Sequence, residues 1–335
     1  MSNKTITISH GSGGRAMQEL IQNLFIKSFK NEELEKLDDA AELLLPKSRI
    51  AFTTDSYTVK PIFFPGGDIG KLAVCGTVND LATKGAKAIA LSVSFIVEEN
   101  FSLKNFEKIV TSIAETAKDC SVSIVTGDTK VVNRKEIDGI FINTSGIGVI
   151  YEKINASCKN VRLDDVVILS GTIGDHGMAI LSARENLGFK PTIKSDVNSI
   201  YPLVNESIKY AGYIHAMRDP TRGGLATVLN EIAQASNVGI KIEEQRIPIK
   251  KSVKAASEIL GIDPLYLANE GKVVMFVDKN KSRQILAQLR RNPIGKDASI
   301  IGEVISKEAI VYLETTLGSK RILPFLEGEL LPRIC

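Results

Sequence analysis

Along the first 150 residues, segments with the helical spacing of hydrophobic residues alternate with segments whose composition is typical of β-strands. Helical spacing recurs in "RAMQELIQNLFIKSF", "DIGKLAVCGTVNDLATKG" and "SLKNFEKIVTSIAETAKD", and runs rich in β-branched and aromatic residues separate these segments. The predicted order is strand 5–9, helix 15–29, strand 49–59, helix 68–85, strand 88–97, helix 102–119 and strands 121–128 and 139–150. A glycine turn, "HGSGG", connects the first strand to the first helix. Helices and strands therefore alternate throughout this part of the chain.

A second block of alternating elements follows the polar stretch 151–165. It opens on the apolar strand "VVILSG" and the turn "GTIGDHG", continues with a long helical region through Tyr210, and reaches the loop "MRDPTRGG". Beyond this loop the pattern predicts helices at 225–237, 252–260 and 281–291, strands at 239–244, 272–278 and 298–305, and a hairpin about "LGS". Strands connected through helices predict an α/β or α+β protein. We divide the chain into an N-terminal glycine loop and helix (1–35), a first α/β domain (36–150), a second α/β domain (155–308) and a tail (309–335).

Length and composition restrict the class of protein. The 335 residues exceed what one hydrophobic core usually organises, and 44% hydrophobic with 24% charged residues is typical of globular proteins. No apolar run approaches the roughly 20 residues of a bilayer helix, and the first residues lack a signal-peptide segment. The net charge of +3 comes from scattered Lys and Arg, without the basic patch of a nucleic-acid-binding protein. We therefore expect a cytoplasmic protein with a small-molecule substrate and no contact with nucleic acid or membrane.

Cys335 differs from the other three cysteines in its surroundings. The four cysteines form no C-x-x-C pair, and the three histidines are scattered, which argues against a zinc site or a disulfide framework. Cys75 and Cys120 lie among small and apolar neighbours, as inert structural thiols usually do. Cys335 instead ends the sequence in "LPRIC", where prolines discourage regular structure. Either this cysteine has no role, or the tail is an arm that presents a thiol.

Aspartates follow or interrupt apolar elements in four short segments, "TTDS", "VNDLA", "TGDTK" and "RDPTRGG". Carboxylate oxygens with phosphate and water are the ligands that Mg²⁺ prefers, so aspartates gathered from several elements suit a metal and nucleotide site. Each aspartate alone could also cap a helix or tighten a turn. The four residues are Asp55, Asp80, Asp128 and Asp219.

The glycine loop "HGSGGRAM" offers backbone N–H groups at a helix start, where anions bind readily. It matches G-x-G-x-x-A, but no strand ending in an acidic residue follows at the required distance, and the chain has no Walker A sequence. Glu270 in "LANEGK" could be a base or a turn residue, Lys130 could neutralise a phosphate or remain solvated, and Arg222 could bind an anion or cap a loop. His176 in "GDHG" is more typical of a hydrogen-bonded turn histidine than of a catalyst.

Several segments together closely resemble the HypE family of hydrogenase maturation factors. In order, they are "HGSGG", "TTDSYTV", "GDIGKLAVCGTVNDLA", "TGDTKVV", "GDHGMAIL", "RDPTRGGLATVLNEIA", "ANEGK" and "PRIC". The similarity spans essentially the whole chain, and "RDPTRGG" with "PRIC" is its most discriminating part. The HypE family belongs to the PurM-like superfamily of aminoimidazole ribonucleotide synthetase and selenophosphate synthetase.

The resemblance implies an α/β (α+β), two-domain PurM-like fold. In that family, strands of the N-terminal domain pair across a homodimer into a shared barrel, ATP lies in the cleft between the domains, and the tail after the C-terminal α/β domain is mobile. The implied catalytic residues are Cys335, Glu270 and Lys130. The implied ATP-binding residues are His10, Gly11, Ser12, Gly13, Gly14, Asp55, Asn79, Asp80, Asp128, Thr129 and Arg222. The implied Mg²⁺ ligands are Asp55, Asp80, Asp128 and Asp219.

The resemblance also implies a reaction. The carbamoyltransferase HypF would carbamoylate Cys335, ATP would drive dehydration of the resulting S-carboxamide to a thiocyanate, and the cyanide would pass to iron held by the HypC–HypD complex. ATP is needed because an amide oxygen is a poor leaving group until it is phosphorylated, and Mg²⁺ with Lys130 would offset the charge on the transferred phosphoryl group. Two alternatives remain: a sister PurM-like synthetase acting on a free small molecule, and a non-enzymatic scaffold that binds ATP.

Overall fold

The computed structural model describes residues 5–11, 15–35, 41, 43–190, 192–326 and 334–335, which form two α/β units, each built on its own main sheet. The strands are β1 (Ile50–Tyr57), β2 (Phe63–Phe64), β3 (Gly67–Asp68), β4 (Ala86–Glu98), β5 (Ser123–Val132), β6 (Ile140–Ile150), β7 (Val166–Leu169), β8 (Ile214–Arg218), β9 (Gly239–Glu243), β10 (Val274–Val277), β11 (Ser299–Ser306), β12 (Val311–Glu314) and β13 (Lys320–Ile322). The α-helices are α1 (Arg15–Leu20), α2 (Ile26–Phe29), α3 (Glu32–Glu35), α4 (Ile69–Thr83), α5 (Leu103–Asp119), α6 (Asp175–Arg184), α7 (Tyr201–Ser207), α8 (Gly224–Ser236), α9 (Lys251–Leu260) and α10 (Ser282–Leu289).

The N-terminal sheet has the strand order β1-β6-β4-β5, with β4 and β5 parallel and the other pairs antiparallel. Helix α4 packs on one face of this sheet, and α5 packs beside α4. Because successive side chains of a strand point to opposite faces, Ala51 and Tyr57 of β1 are buried beneath α4, whereas Phe52 is 70% exposed on the other face. One face of the sheet therefore forms the core, and the other remains open in the single chain.

Phe106 of α5 lies at the centre of an aromatic cluster in this core. It is fully buried and meets Phe25 and Phe95 edge to face, with ring centroids 6.0 and 5.1 Å apart. We expect Phe106→Ala to lower the free energy of unfolding by about 3–5 kcal/mol, because the ring is lost and a cavity remains. Urea denaturation measures this change. Phe63→Ala is the control, since Phe63 is 37% exposed, and an equal loss for both variants would contradict the prediction.

The C-terminal sheet has the order β13-β12-β9-β11-β7-β10-β8, and its pairs are antiparallel except that β12 runs parallel to β9. Every residue of β7 and β10 is buried. Helix α8 covers one face of these strands, and α7 with α10 covers the other. Apolar runs such as "VVIL" and "VMFV" are typical of strands buried on both faces. None of the described helices is both long and apolar enough to span a membrane.

Some predicted elements are wrong. The strand at 5–9 is reduced to an isolated bridge between Thr5 and Ser102, followed by a 3-10 turn over Ile8–Gly11. The long helical region is interrupted after α6, where Gly188 has a φ of 63° that glycine tolerates, and residues 192–199 form neither helix nor strand. Strand β8 was missed, because "IHAMR" mixes charged and apolar residues as edge strands do.

The predicted hairpin about "LGS" is formed by β12 and β13, which join the C-terminal sheet through the β12–β9 pair. The segment 309–335 that we assigned to the tail thus begins inside the second sheet, with Leu323 buried in its core. Beyond residue 326 the structure describes Ile334 and Cys335, which pack against the N-terminal core.

The segment 192–199 connects the two units. Ser195 N donates to Pro65 O at 2.8 Å on the N-terminal side. On the same side, the carbonyl oxygen of Asn198 accepts a hydrogen bond from Asn79 Nδ2 at 3.0 Å. On the C-terminal side, the N–H of Asn198 donates to the carbonyl oxygen of Glu270 at 3.2 Å. Hydrogen bonds to the main chain of one extended segment therefore connect the two units at the cleft.

Candidate active site

A polar cavity of about 240 Å³ lies where the two units meet. Its walls come from β1 and α4 of the N-terminal unit, from the loops after β8 and before β10, and from the end of the tail. The lining residues are Asp55, Ser56, Tyr57, Gly76, Asp80, Thr83, Arg218, Asp219, Thr221, Arg222, Glu270 and Cys335. The cavity thus brings together six of the predicted site residues: Asp55, Asp80, Asp219, Arg222, Glu270 and Cys335.

Asp55 and Asp80 form the N-terminal wall. Asp55 on β1 accepts a hydrogen bond from the Tyr57 hydroxyl at 3.1 Å, and Asp80 on α4 accepts one from Thr53 Oγ1 at 2.7 Å. Thr53, Asp55 and Tyr57 share one face of β1, because alternate residues of a strand point the same way. Burial raises the pKa of Asp80, and the hydrogen bond from Thr53 partly opposes this. Both carboxylates are thereby aimed into the cavity by neighbouring hydroxyl groups.

Asp219 faces these two carboxylates from the loop after β8. It is 8% exposed, and burial together with the negative charge of Asp80 raises the pKa of Asp219 to about 7. The loop turns sharply into α8 through Gly223 and Gly224, whose φ angles are 72° and 62°. A Cβ at Gly224 would lie 2.6 Å from the carbonyl oxygen of Leu267, so the close approach requires glycine. The motif "RDPTRGG" therefore positions a third carboxylate against the N-terminal pair.

Glu270 is the most deeply buried acid of the cavity, with 2% of its surface exposed. Its Oε1 atom is buried and has no hydrogen-bond partner among the described residues. Burial, followed by the negative charge of Asp219, raises the pKa of Glu270 well above its usual range, and the positive charge of Arg222 opposes the shift. A buried carboxyl oxygen without a partner is costly, so this atom is suited to receive a donor from a bound substrate.

The main chain around Glu270 is fixed by Asp196. The N–H groups of Glu270 and Gly271 donate to the two oxygens of Asp196 at 3.1 and 3.2 Å, and Lys272 Nζ donates to it at 2.9 Å. Burial alone would raise the pKa of Asp196, but the charge of Lys272 prevails and lowers it. Asp196 is therefore an ionised, buried anchor that holds the loop with Glu270 in place.

The end of the tail lies inside the cleft. Ile334 is 7% exposed, and its carbonyl oxygen is 2.8 Å from His176 Nε2. A main-chain oxygen of Cys335 accepts a hydrogen bond from Thr58 N at 3.3 Å. Burial, followed by the charge of Glu270, raises the pKa of the Cys335 thiol to about 12. The docked thiol is therefore protonated at neutral pH.

Asn79, which was predicted to support the nucleotide, is buried on α4 and joins the two units. Its Nδ2 donates to the carbonyl oxygens of Asn198 and Glu270 at 3.0 and 3.3 Å, and its Oδ1 accepts from Ile200 N at 2.8 Å. All three bonds are made to main-chain groups, and Asn79 itself does not line the cavity.

Asp128, Thr129 and Lys130 lie on β5, outside the lining of the polar cavity. Asp128 Oδ1 accepts from Thr129 N at 2.8 Å, and both residues border a largely apolar groove of about 190 Å³ beneath the N-terminal helices. Lys130 is exposed and pairs in register with Ile96 of β4. A single chain thus does not bring these three residues to Cys335, and their predicted roles remain predictions.

The glycine loop is only partly described. His10 Nδ1 lies 2.8 Å from Thr7 Oγ1 within the 3-10 turn that ends at Gly11. Ser12, Gly13 and Gly14 lie outside the described residues.

The sequence reasoning missed several residues that shape the site. The alternation of strand residues around Asp55 could have indicated Thr53 and Tyr57, and Arg218 and Thr221 flank Asp219 in the motif already identified. No local signal could have revealed the contact of His176 with the tail, since its partner is 158 positions away.

The three carboxylates Asp55, Asp80 and Asp219 supply only oxygen donors, which suit Mg²⁺. Among the described residues, no three His, Cys, Asp or Glu side chains form a metal site by themselves. Mg²⁺ usually binds to one or two carboxylates and takes its other ligands from phosphates and water. The donor set therefore fits a metal ion that arrives with a nucleotide.

Two family models match the chain. The model of the AIR synthase related protein, N-terminal domain, matches residues 37–150, and the model of the corresponding C-terminal domain matches residues 162–313. These ranges follow the two units of the structure and confirm the predicted two-domain PurM-like fold.

Full-length relatives agree with the family models. The carbamoyl dehydratase HypE of Bradyrhizobium diazoefficiens is 48% identical over 99% of this chain and 97% of its own length. A crystal structure of the hydrogenase maturation protein HypE in complex with ATP has a TM-score of 0.96 at 46% identity, covering 99% of this chain and 100% of that chain. The HypE chain of a HypE–HypF complex has a TM-score of 0.82 at 51% identity, covering 92% of this chain and 99% of that chain. The chain therefore belongs to the HypE family of hydrogenase maturation proteins.

Proposed function

We propose that this chain is an ATP-dependent carbamoyl dehydratase whose substrate is its own Cys335, carbamoylated as an S-carboxamide. The reaction converts the group S–C(=O)–NH₂ into S–C≡N. The amide oxygen leaves with the phosphoryl group of ATP as inorganic phosphate, and the nitrogen loses both of its protons. The thiocyanate then supplies a cyanide ligand for hydrogenase iron. One observation carries this proposal: Cys335 lies in the same cavity as the unpartnered Oε1 of Glu270.

Glu270 is the base that this site offers for the nitrogen protons. Its Oε1 can accept a hydrogen bond from the carboxamide N–H₂ group, which satisfies the buried oxygen. Because burial raises the pKa of Glu270, its carboxylate is a stronger base than an exposed one once it is ionised. Glu270 must therefore lose its own proton before it accepts one from the substrate.

Carbamoyl loading takes place with the tail outside the cavity. A thiolate is the nucleophile in attack on an activated carbamoyl group, but the pKa of the docked thiol is about 12. The carboxamide formed by loading is neutral, so burial in the cavity costs it much less than it costs a thiolate. The tail thus leaves the cavity as a thiol and returns as a carboxamide, which requires the mobility that the sequence predicts.

ATP supplies the phosphoryl group that converts the amide oxygen into a leaving group, with Mg²⁺ offsetting the charge on the phosphates. In this chain Asp55, Asp80 and Asp219 would hold the metal ion, and Arg222, which is exposed and lines the cavity, would contact the phosphates.

A homodimer is the assembly we propose. The open face of the N-terminal sheet carries Phe52 and Ile96, which are 70% and 41% exposed, so a second copy of this sheet would cover apolar surface. Asp128 and Lys130 lie opposite Ser94 and Ile96 on the neighbouring strand. Because neither residue lines the polar cavity of the single chain, we propose that they contribute to an ATP site only across the dimer.

The family suggests partners and a location for this chain. The structure of a HypE–HypF complex supports HypF as a partner of this chain, and we propose that HypF transfers the carbamoyl group to Cys335. The HypC–HypD complex as cyanide acceptor and a cytoplasmic location remain predictions. A sister synthetase acting on a free small molecule, or a scaffold without activity, is not favoured, since several full-length relatives are carbamoyl dehydratases.

Phosphate release tests the proposed function. The chain, first carbamoylated by HypF and carbamoyl phosphate, should release phosphate from ATP in a burst stoichiometric with the loaded cysteine, and the unloaded chain should show no burst. We expect Asp219→Asn and Asp55→Asn to remove the burst and weaken Mg-ATP binding, because each variant removes a negative oxygen donor from the metal site.

Asp297→Asn is the matched control, since Asp297 is exposed and lies outside the polar cavity. Calorimetry measures ATP binding, and circular dichroism checks the fold. An unchanged burst in both cavity variants would count decisively against this metal and nucleotide site, and an equal burst from unloaded chain would refute the use of Cys335 as substrate.

A further inference from the structure

We infer that His176 is a positioning residue that binds the backbone carbonyl of Ile334 and thereby sets the register of Cys335 in the active-site cavity. This inference deepens the proposed function, on which it rests for its catalytic consequence, but the contact itself can be tested without catalysis.

The contact is built from buried groups on both sides. His176 is fully buried near the start of α6, with Nε2 2.8 Å from the carbonyl oxygen of Ile334 and Nδ1 2.8 Å from Ser195 Oγ. Phe64 meets the imidazole edge to face, with ring centroids 5.5 Å apart and an interplanar angle of 88°. The ring orientation is thus fixed by two hydrogen bonds and one aromatic contact.

The hydrogen-bond pattern defines a single tautomer. A carbonyl oxygen only accepts, so Nε2 of His176 carries a proton and donates it to Ile334. Burial lowers the pKa of His176, so the ring is neutral and Nδ1 is an acceptor. Ser195 must then donate its hydroxyl proton to Nδ1, while its Oγ accepts from Val197 N at 3.0 Å. Ser195 therefore selects the tautomer that can bind the tail.

Recognition of a backbone carbonyl has a functional consequence. His176 contacts residue 334, so its bond does not depend on whether the next residue carries a thiol, a carboxamide or a thiocyanate. The bond fixes the chain one residue before the sulfur, which sets how far the carboxamide reaches toward Glu270. Ser195 binds His176, and the adjacent Asp196 binds the main chain at Glu270. The same short segment therefore positions both the residue that binds the tail and the proposed base.

Two isosteric substitutions separate the contacts of His176. His176→Gln can place an amide N–H₂ where Nε2 lies and keep the donor to Ile334. His176→Asn can keep a polar partner for Ser195 but is too short to reach the tail. Both variants replace the imidazole with a neutral amide, so a general effect on core stability should appear in both, whereas loss of the tail contact should appear in His176→Asn alone.

The measurement is the alkylation rate of Cys335 by iodoacetamide in the full chain, followed by intact mass, with the other cysteines replaced by alanine (Cys75, Cys120 and Cys158). The docked thiol is buried and protonated, so labelling reports the fraction of undocked tail. We expect His176→Asn to raise the rate about fivefold, the change expected from one neutral hydrogen bond, and His176→Gln to keep a rate close to that of the parent. In the carbamoylated chain, His176→Asn should slow dehydration with unchanged ATP binding.

Equal labelling of the parent and His176→Asn would overturn the inference, and so would equal acceleration in the Asn and Gln variants. If neither His176 variant folds, Ser195→Ala provides the test, because it removes the donor that selects the tautomer and should also raise labelling. Unchanged labelling of Ser195→Ala would then overturn it. Failure of the proposed function would appear separately, as absence of carbamoyl loading in the parent chain.

Discussion

Replacing Cys335 with alanine is expected to abolish covalent loading of the chain completely, while the fold and ATP binding persist. The expectation is chemical, because alanine offers no nucleophile for the carbamoyl group. It is also structural, because the tail contacts at Ile334 and Thr58 involve backbone groups that the substitution leaves in place. Peptide mass mapping after reaction with HypF, carbamoyl phosphate and ATP measures the loading.

The internal cysteines are the controls for this variant. Cys75, Cys120 and Cys158 lie outside the lining of the polar cavity, so alanine at each position should leave loading intact, with a packing loss at the buried Cys75. A carbamoyl or cyano adduct that persists without Cys335, or that moves to an internal cysteine, would refute the carrier role of the tail.

Glu270→Gln is expected to accumulate the S-carboxamide, with dehydration slowed by about 10²- to 10⁴-fold, the usual contribution of a general base. Glutamine keeps the size of the side chain, and the main-chain bonds to Asp196 and Asn79 do not involve the carboxyl group. Carbamoylation and ATP binding should therefore be retained. Quenched-flow sampling, followed by mass analysis of the C-terminal peptide, measures the carboxamide and the thiocyanate.

Glu258→Gln is the matched control, because Glu258 is exposed on α9. Its thiocyanate yield should equal that of the parent. A normal yield from Glu270→Gln would remove Glu270 from the mechanism.

Most of the N-terminal unit could be predicted from the sequence because its elements are long and strongly periodic. Helix α5 and strand β4 match the predicted segments, because a periodic pattern of apolar residues over ten or more positions distinguishes a helix from a strand. The segments that failed depend on distant partners. Strand β8 contains the buried His215, whose Nδ1 lies 2.8 Å from Oδ2 of Asp165, and a contact over 50 positions is not visible in the local pattern.

The candidate site was predictable in its residue types but not in its arrangement. The motifs identified the carboxylates, and the resemblance assigned roles to Glu270 and Cys335, both of which line one cavity. The extended segment 192–199 could not be anticipated, because its conformation is set by hydrogen bonds to Pro65, Asn79 and Glu270 rather than by its own sequence. For the same reason the role inferred for His176 depends on a long-range contact that the sequence does not show.

The origin of the phosphate oxygen tests the central claim most directly. The parent chain would be carbamoylated with carbamoyl phosphate that contains a heavy oxygen isotope in its carbonyl group, freed of excess reagent, and then mixed with ATP. We predict that the label appears in the released phosphate while the C-terminal peptide becomes a thiocyanate. Label that stays in the peptide, or phosphate released without the label, would contradict dehydration of Cys335 S-carboxamide by this chain.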